Sequence, residues 1–211
     1  MTNRWAIIPI KQLNKGKSRL AEILSEEIRV EVVHKLVLNT LTAISNSTRI
    51  AEIIVVSQDE GLLDVARQFR VRTIKEPGQP ELNKAIDLGT KSAMENQADS
   101  LMIMPIDLPL VTSKDIDDVI SLSEYPSEMI IAPDRHYTGT NLLIIRPPGI
   151  VRYKFGNNSF SKHLGQAKIN KMVVKVVDRK PWNLDLDLPE DFKILGEFKN
   201  PLGKSIMAKI Q

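Results

Sequence analysis

Short apolar runs without polar alternation recur along this chain, and they constrain its fold more than any other feature. Examples are Ile53-Ile54-Val55-Val56, Leu101-Met102-Ile103-Met104 and Leu142-Leu143-Ile144-Ile145. Strands that are apolar on both sides are typical of a sheet covered by helices on both faces. Because segments with helical spacing separate the runs, the pattern predicts an α/β fold with a mainly parallel sheet.

The predicted elements alternate along the whole chain. Strands are predicted over residues 5–10, 53–56, 71–74, 101–104, 129–132, 142–145 and 172–177. Helices are predicted over residues 26–46, 60–69, 81–97, 114–122, 159–166 and 189–197. No internal repeat or long linker divides the sequence, so we expect one domain over residues 1–211.

Composition excludes several classes of protein. The chain has no cysteine, which removes disulfides, zinc thiolates and thiol nucleophiles. Lys and Arg total 29 against 26 Asp and Glu, and aromatic residues are 5% without a basic cluster, so we expect no nucleic-acid partner. No apolar run approaches ~18 residues, and the start shows no signal peptide, so we expect a cytoplasmic protein without a membrane partner. The oligomeric state stays open, with a homodimer as one arrangement.

A basic loop follows the first predicted strand. Its core is Lys-Gly-Lys-Ser-Arg-Leu, residues 15–20. It is not a Walker A loop, because the position that would need the first glycine is Lys11. A loop rich in cations can hold a triphosphate by side-chain charge, although a solvated basic loop is the slightly better interpretation of this run alone. Its cations are Lys11, Lys15, Lys17 and Arg19.

An aspartate follows the strand at 101–104. In open α/β sheets, ligands bind beyond the carboxyl ends of the strands, which is where Asp107 should lie. Pro105 and Pro109 flank it and restrict its backbone. A metal ligand and a turn aspartate are about equally good interpretations of Asp107.

A second acidic segment is Asn183-Leu184-Asp185-Leu186-Asp187-Leu188. The alternation places Asp185 and Asp187 on one face of an extended segment. Two such carboxylates repel each other unless a cation lies between them. With Asp107 they would supply three hard oxygen ligands, which suit Mg²⁺. A charged edge facing water is the common alternative, and the unusual alternation modestly favours the metal.

Two glycine-containing loops carry small polar groups. One is Thr138-Gly139-Thr140-Asn141, and the other is Phe155-Gly156-Asn157-Asn158-Ser159. Such loops can bind an anion through backbone N–H groups and hydroxyls. Taken singly, an ordinary hairpin and an N-cap serine explain them better.

The three histidines, His34, His136 and His163, lack the spacing of a metal site. His34 lies in the middle of a predicted helix and is interpreted as structural. His163 shares a helix face with Ser159 and is interpreted as a surface residue.

Taken in order, these motifs resemble the 2-phospholactate guanylyltransferases of deazaflavin coenzyme biosynthesis. The matching positions run from Pro9-Ile10-Lys11 and Gly16-Lys17-Ser18-Arg19-Leu20 through Glu81-Leu82-Asn83, Asp107-Leu108-Pro109, Gly139-Thr140, Phe155-Gly156 with Ser159 and His163, to Asp185 and Asp187. The resemblance covers nearly the whole chain. It implies a nucleotidyltransferase fold: a three-layer α/β/α sandwich with a mostly parallel sheet.

The resemblance also implies residue roles. Asp107, Asp185 and Asp187 match the metal-binding aspartates, and Asp107 joins Lys17 and Arg19 in the catalytic set. Thr140, Gly156 and Ser159 match the positions that hold a phosphorylated three-carbon acid. The nucleotide-binding positions are Lys11, Lys17, Arg19, Leu82 and Asn83.

The implied reaction joins GTP to 2-phospholactate or phosphoenolpyruvate with Mg²⁺ as the cofactor. Two alternatives remain. One is a transferase of the same fold acting on a molybdopterin or a sugar phosphate, although such relatives usually open with a glycine-rich loop and this loop has only Gly16. The other is a non-catalytic nucleotide-binding regulatory module, which would not need three aspartates.

Overall fold

The computed structural model describes residues 3–10, 20, 24–197, 202, 204 and 206. The strands are β1 (Arg4–Ile10), β2 (Glu52–Ser57), β3 (Arg72–Lys75), β4 (Ser100–Ile103), β5 (Glu128–Pro133), β6 (Thr140–Arg146) and β7 (Val173–Val176). The helices are α1 (Glu26–Ser45), α2 (Glu60–Arg67), α3 (Leu82–Glu95), α4 (Ser113–Ile120), α5 (Ser159–Ile169), α6 (Lys180–Asn183) and α7 (Pro189–Gly196). Every predicted strand and helix is present within a few residues. Among the seven helices given above, α6 is the one that was not predicted.

One strand runs against the others, and it determines which residues meet at the sheet edge. The described strands form a seven-stranded sheet in the order β3-β2-β1-β4-β6-β5-β7. Only β6 is antiparallel to its neighbours in this sheet, β4 and β5. Strand β6 therefore begins where its neighbours end, and Thr140 pairs with Pro133 at the end of β5. Thr140 thus lies at the edge formed by the carboxyl ends of the parallel strands.

Helices cover both faces of the sheet, which confirms the three-layer prediction. One core cluster joins the sheet to α1, α2, α4 and α6, and a second joins it to α3 and α5. Within β1, Ala6 and Ile8 belong to the first cluster, whereas Trp5 and Ile7 belong to the second. Because both faces are buried, the strand is apolar at successive positions, as the sequence indicated.

A glycine allows α3 to approach the sheet closely. A Cβ atom added at Gly89 would lie 2.8 Å from Cγ2 of Ile7. Any larger residue at this position would push α3 away from β1. The close packing fixes the helix whose first residues are Leu82 and Asn83.

A third apolar cluster anchors the acidic segment between α6 and α7. Leu184 and Leu186 are buried there together with Leu36 of α1 and Phe192 of α7. The inward leucines leave Asp185 and Asp187 half-buried on the other side. None of the helices within the described part of the chain combines the length and apolar character needed to cross a bilayer.

Candidate active site

A backbone hydrogen bond joins the loop after β4 to the acidic segment. The amide N–H of Leu186 donates to the carbonyl oxygen of Asp107 at 3.0 Å. Asp107 follows β4 directly, and Asp185 and Asp187 flank Leu186. The structure therefore places the three predicted carboxylate residues near one another, beyond the carboxyl end of β4.

The carboxylates influence one another electrostatically. Burial raises the pKa of Asp185 to about 6, and the negative charges of Asp107 and Asp187 act in the same direction. The amide Nδ2 of Asn141 lies 3.4 Å from Oδ1 of Asp185 and also donates to the carbonyl of Trp182 at 2.9 Å. A divalent cation would offset the repulsion from Asp107 and Asp187 that adds to the effect of burial, so the donor set suits a hard cation.

The carboxylates do not form a closed cage by themselves. Within the described ranges, no group of three or more His, Cys, Asp or Glu side chains is close enough to hold a metal ion. Magnesium usually takes one or two carboxylates and completes its shell with water and substrate phosphates. The arrangement therefore fits a metal that arrives with a nucleotide better than a metal held permanently by the protein.

Asp191, near the start of α7, supports the acidic segment from behind. Its Oδ2 accepts the backbone N–H groups of Asp187 at 2.8 Å and Leu188 at 2.6 Å. Its Oδ1 lies 2.6 Å from Nη1 of Arg135, and the Asp191 side chain is only 4% exposed. The pair fixes the backbone that carries Asp187. Sequence reasoning did not identify either residue, because Arg135 lies in a distant hairpin.

The predicted acid-binding residues also come together. The N–H of Phe160, in the first turn of α5, donates to the carbonyl of Thr138 at 3.3 Å, which places this turn beside the residue before Gly139-Thr140. The N–H of Ser159 donates to the carbonyl of Gly156 at 3.0 Å, and Gly156 has a φ of +113°. The N-cap of α5 is Asn158, so the N-cap interpretation of Ser159 is wrong. Ser159 is the buried first residue of the helix.

Asn83 binds the same loop from α3. Its Oδ1 accepts the N–H of Phe155 at 2.8 Å, and its Nδ2 donates to the carbonyl of Phe155 at 3.2 Å. Both ends of the amide are thus used to position the residue before Gly156. Leu82 is half-buried against the apolar cluster on the α3 and α5 face. The predicted nucleotide contacts of Leu82 and Asn83 remain predictions, and Lys11, Lys15, Lys17 and Arg19 lie outside the described residues.

His163 is buried, so its interpretation as a surface residue is wrong. It is 0% exposed and lies beneath Phe155, with the two ring centroids 4.8 Å apart. Its Nδ1 is 3.0 Å from Oγ1 of Thr140. A signal was present in the sequence: Ser159, His163 and Ala167 are four residues apart, and all three are buried on one face of α5.

Carboxylates and glycine-containing loops lie at the carboxyl edge of a mostly parallel sheet, and this α/β fold is that of nucleotidyltransferases of known structure. Two solved structures show the same fold. A Desulfovibrio desulfuricans protein described as a nucleotide-diphospho-sugar transferase has a TM-score of 0.78 at 15% identity, covering 100% of this chain and 97% of that one. A cytidylyltransferase from Leptospira borgpetersenii has a TM-score of 0.59 at 14% identity, covering 100% and 94%.

The chain belongs to the family described as "Guanylyl transferase CofC like", whose model matches residues 4–198. A phosphoenolpyruvate guanylyltransferase from Sphaerobacter thermophilus is 33% identical over 201 residues, which cover 95% of each chain. A 2-phospho-L-lactate guanylyltransferase from Methanocaldococcus jannaschii is 38% identical over 193 residues, covering 90% of this chain and 80% of the relative. Family membership confirms the resemblance found in the sequence.

Proposed function

We propose that this protein transfers a guanylyl group from GTP to the phosphate of a three-carbon acid, phosphoenolpyruvate or 2-phospho-L-lactate, and releases pyrophosphate. The product is then a diphosphate-bridged guanosine for deazaflavin coenzyme assembly, as the family implies. The observation that carries the proposal is the convergence of the Asp107 loop and the Asp185–Asp187 segment on the edge where Thr140 begins β6. The names of the two relatives support GTP as the donor and these acids as acceptors.

The reaction requires no covalent bond between a side chain and the substrates. An oxygen of the acid's phosphate forms a bond to the α-phosphorus of GTP. The bond from that phosphorus to the oxygen between the α- and β-phosphates breaks. Pyrophosphate leaves with the electron pair. A phosphate ester is already anionic near pH 7, so no side chain has to remove a proton. The protein's task is to align the two anions and offset their charge.

The aspartates Asp107, Asp185 and Asp187 are proposed to supply the protein's ligands to an Mg²⁺ ion whose shell is completed by water and the nucleotide phosphates, because their side chains do not close around a metal by themselves. When bound, the ion would neutralise charge on the α-phosphate and on the leaving pyrophosphate. The raised pKa of Asp185, caused first by burial and then by Asp107 and Asp187, supports this assignment. Asp191 would contribute indirectly by fixing the backbone of Asp187.

The acid is proposed to lie against the loops of Thr140, Gly156 and Ser159. The first turn of α5 contains no acidic residue, and its positive helix end favours an anion. Asn83 fixes the Phe155–Gly156 segment from α3. On the nucleotide side, the basic loop with Lys11, Lys17 and Arg19 is proposed to hold the triphosphate, and Leu82 with Asn83 is proposed to border the base or ribose.

A panel of donors and acceptors tests the proposal. GTP, ATP and CTP are each combined with phosphoenolpyruvate, 2-phospholactate, 3-phosphoglycerate and a sugar 1-phosphate, and pyrophosphate release is measured with and without Mg²⁺. We expect turnover with GTP and one or both of the first two acids, and only with the metal. Turnover confined to the sugar phosphate or to another nucleotide would overturn the proposal.

A further inference from the structure

The ring nitrogens of the buried His163 each have one polar neighbour. Nε2 accepts the backbone N–H of Lys154 at 3.1 Å. Nδ1 is 3.0 Å from the hydroxyl oxygen of Thr140. Phe155 packs edge-to-face against the imidazole ring, and the His163 side chain is 0% exposed to solvent.

These contacts determine which nitrogen carries the proton. A backbone N–H can only donate, so Nε2 must be the unprotonated acceptor. A neutral imidazole has a single N–H, which then lies on Nδ1. Burial lowers the pKa of His163 to about 4, so the ring is neutral at physiological pH. The Nδ1–H group therefore donates to Oγ1 of Thr140.

The tautomer in turn fixes the direction of the threonine hydroxyl. A hydroxyl has one hydrogen and can act as donor or acceptor. Because Oγ1 of Thr140 accepts from His163, its own hydrogen is left to donate elsewhere. Among the described residues, Oγ1 of Thr140 has no hydrogen-bond partner other than His163. A carboxylate or phosphate offers acceptors only, and this is the partner that such a hydroxyl fits.

We propose that His163 is a positioning residue that holds the Thr140 hydroxyl as a hydrogen-bond donor directed at an anionic oxygen of the acid substrate. The inference rests on the proposed function and identifies the residue that orients a hydrogen-bond donor in its acid site. Without this partner, the Thr140 hydroxyl would also adopt orientations that direct a lone pair at the anion, and the affinity of the site for the acid would fall. His163 does not need to touch the acid itself.

The same ring links the two loops of the acid site. The N–H that fixes the tautomer belongs to Lys154, two residues before Gly156. The hydroxyl belongs to Thr140, the first residue of β6. Asn83 holds the next residue, Phe155, by both backbone groups. The orientation of Thr140 is therefore coupled to the Phe155–Gly156 loop through one imidazole.

Two amide substitutions separate this role from simple packing. In His163→Asn, the side-chain amide reaches the position of Nδ1 and can still donate to Thr140, but the acceptor for Lys154 is lost. In His163→Gln, the amide reaches the position of Nε2 and keeps the Lys154 contact, but the donor to Thr140 is lost. We expect KM for the acid to rise about tenfold in His163→Gln and by less than about threefold in His163→Asn, with GTP affinity unchanged in both.

A double-mutant cycle provides the control for coupling. Thr140→Val removes the hydroxyl, so His163→Gln should add no further loss of acid affinity in that background, whereas Thr140→Ser keeps the hydroxyl and should retain the effect. Equal increases of acid KM in His163→Asn and His163→Gln, or additive losses with Thr140→Val, would overturn the inference and leave the proposed function intact.

The tautomer is measured directly and without turnover. Long-range ¹H–¹⁵N correlation spectra of protein labelled at histidine nitrogens distinguish Nδ1–H from Nε2–H, and His163→Asn identifies the signals of residue 163. We expect the Nδ1–H form at pH 7.5. The Nε2–H form would overturn the inference even if guanylyl transfer is observed. Absence of transfer from wild-type protein with every acid, alongside an Nδ1–H ring, would instead overturn the proposed function and with it the assignment of an acid partner.

Discussion

The amide of Leu186 donates to the carbonyl of Asp107 at 3.0 Å, and this one contact joins two acidic segments that are far apart in the chain. It holds Asp185 within the field of Asp107, while Leu186 itself is buried beneath. The protein thus keeps like charges near one another. Such an arrangement costs stability, and the cost can be measured.

Replacing Asp185 by Asn should stabilise the metal-free protein. Burial and the neighbouring carboxylates raise the pKa of Asp185 to about 6, so at pH 7.5 the carboxylate is mostly charged and carries that charge at a higher free energy in the folded than in the unfolded chain. Removing the charge should raise the free energy of unfolding by about 2–3 kcal/mol, measured with urea in the presence of EDTA. Guanylyl transfer should be nearly abolished. The control, Asp64→Asn at an exposed position of α2, should change both quantities little, and a destabilised Asp185→Asn would contradict the argument.

Magnesium should raise the melting temperature in the presence of GTP, because a ligand that binds only the folded state stabilises it. Asp107→Asn and Asp187→Asn should each lose most of that increase while melting normally without metal. Differential scanning calorimetry with GTP alone, Mg²⁺ alone and both together gives the comparison. An unchanged response to Mg²⁺ in either variant would remove that aspartate from the proposed ligand set.

Asp191→Ala should destabilise the protein by roughly 2–4 kcal/mol, because two backbone N–H groups lose their acceptor and Arg135 loses its buried partner. Glu190→Ala is the matched control. Glu190 is also paired with Arg135, at 3.4 Å, but its side chain is 58% exposed, so its loss should cost less than about 1 kcal/mol. Urea unfolding of the two neighbours compares them directly. Similar costs would show that Asp191 does not support the segment.

His163 should make the folded protein less stable in acid. Burial lowers its folded pKa to about 4, whereas an unfolded histidine titrates near 6.5. Above pH ~6.5 both states are neutral and His163 contributes no pH dependence. As the pH falls from 6.5 to 4, only the unfolded chain binds the proton, and the loss of stability approaches about 3 kcal/mol.

The variant His163→Asn isolates that contribution. The difference in unfolding free energy between wild type and variant should be constant above pH 7 and should fall steadily towards pH 4 at the expense of the wild type. Urea titrations across this range, kept within the region where both proteins unfold in one step, provide the measurement. A difference that is independent of pH would mean that the imidazole is not kept neutral by the fold.

Gly156→Ala should destabilise the protein and weaken acid binding, although the added methyl group would have open space. Gly156 has a φ of +113°, which residues with a Cβ rarely adopt, so the cost should be about 1–3 kcal/mol. Gly165→Ala is the control in the same segment. Gly165 lies within α5 with open space around it, and alanine there should stabilise the helix by about 0.5–1 kcal/mol. In thermal melts, the melting temperature should fall in Gly156→Ala and rise in Gly165→Ala. An unchanged melting temperature in Gly156→Ala would contradict the argument from the positive φ.

Local patterns were sufficient to predict the layers of the fold and the side of the acidic segment that faces the core. Runs such as Ile53-Ile54-Val55-Val56 are apolar at every position because helices cover both faces of the sheet. The alternation around Leu186 placed the leucines in a core and left the aspartates outside it. These inferences succeed because the periodicity of burial is a local property, readable from neighbours in the chain.

Local patterns do not predict which distant residues meet. The hairpin interpretation of residues 138–141 is confirmed, because β5 and β6 are antiparallel neighbours across a short loop, but the placement of β6 beside β4, which brings Thr140 to the edge of the candidate site, is not readable from that segment. The burial of His163 depends on which face of α5 packs on the sheet, and its tautomer depends on the amide of Lys154. The pairing of Arg135 with Asp191 likewise joins a hairpin to a helix. Such contacts follow from chain topology, because hydrogen bonds and charges act over a few ångströms in space and are independent of separation along the sequence.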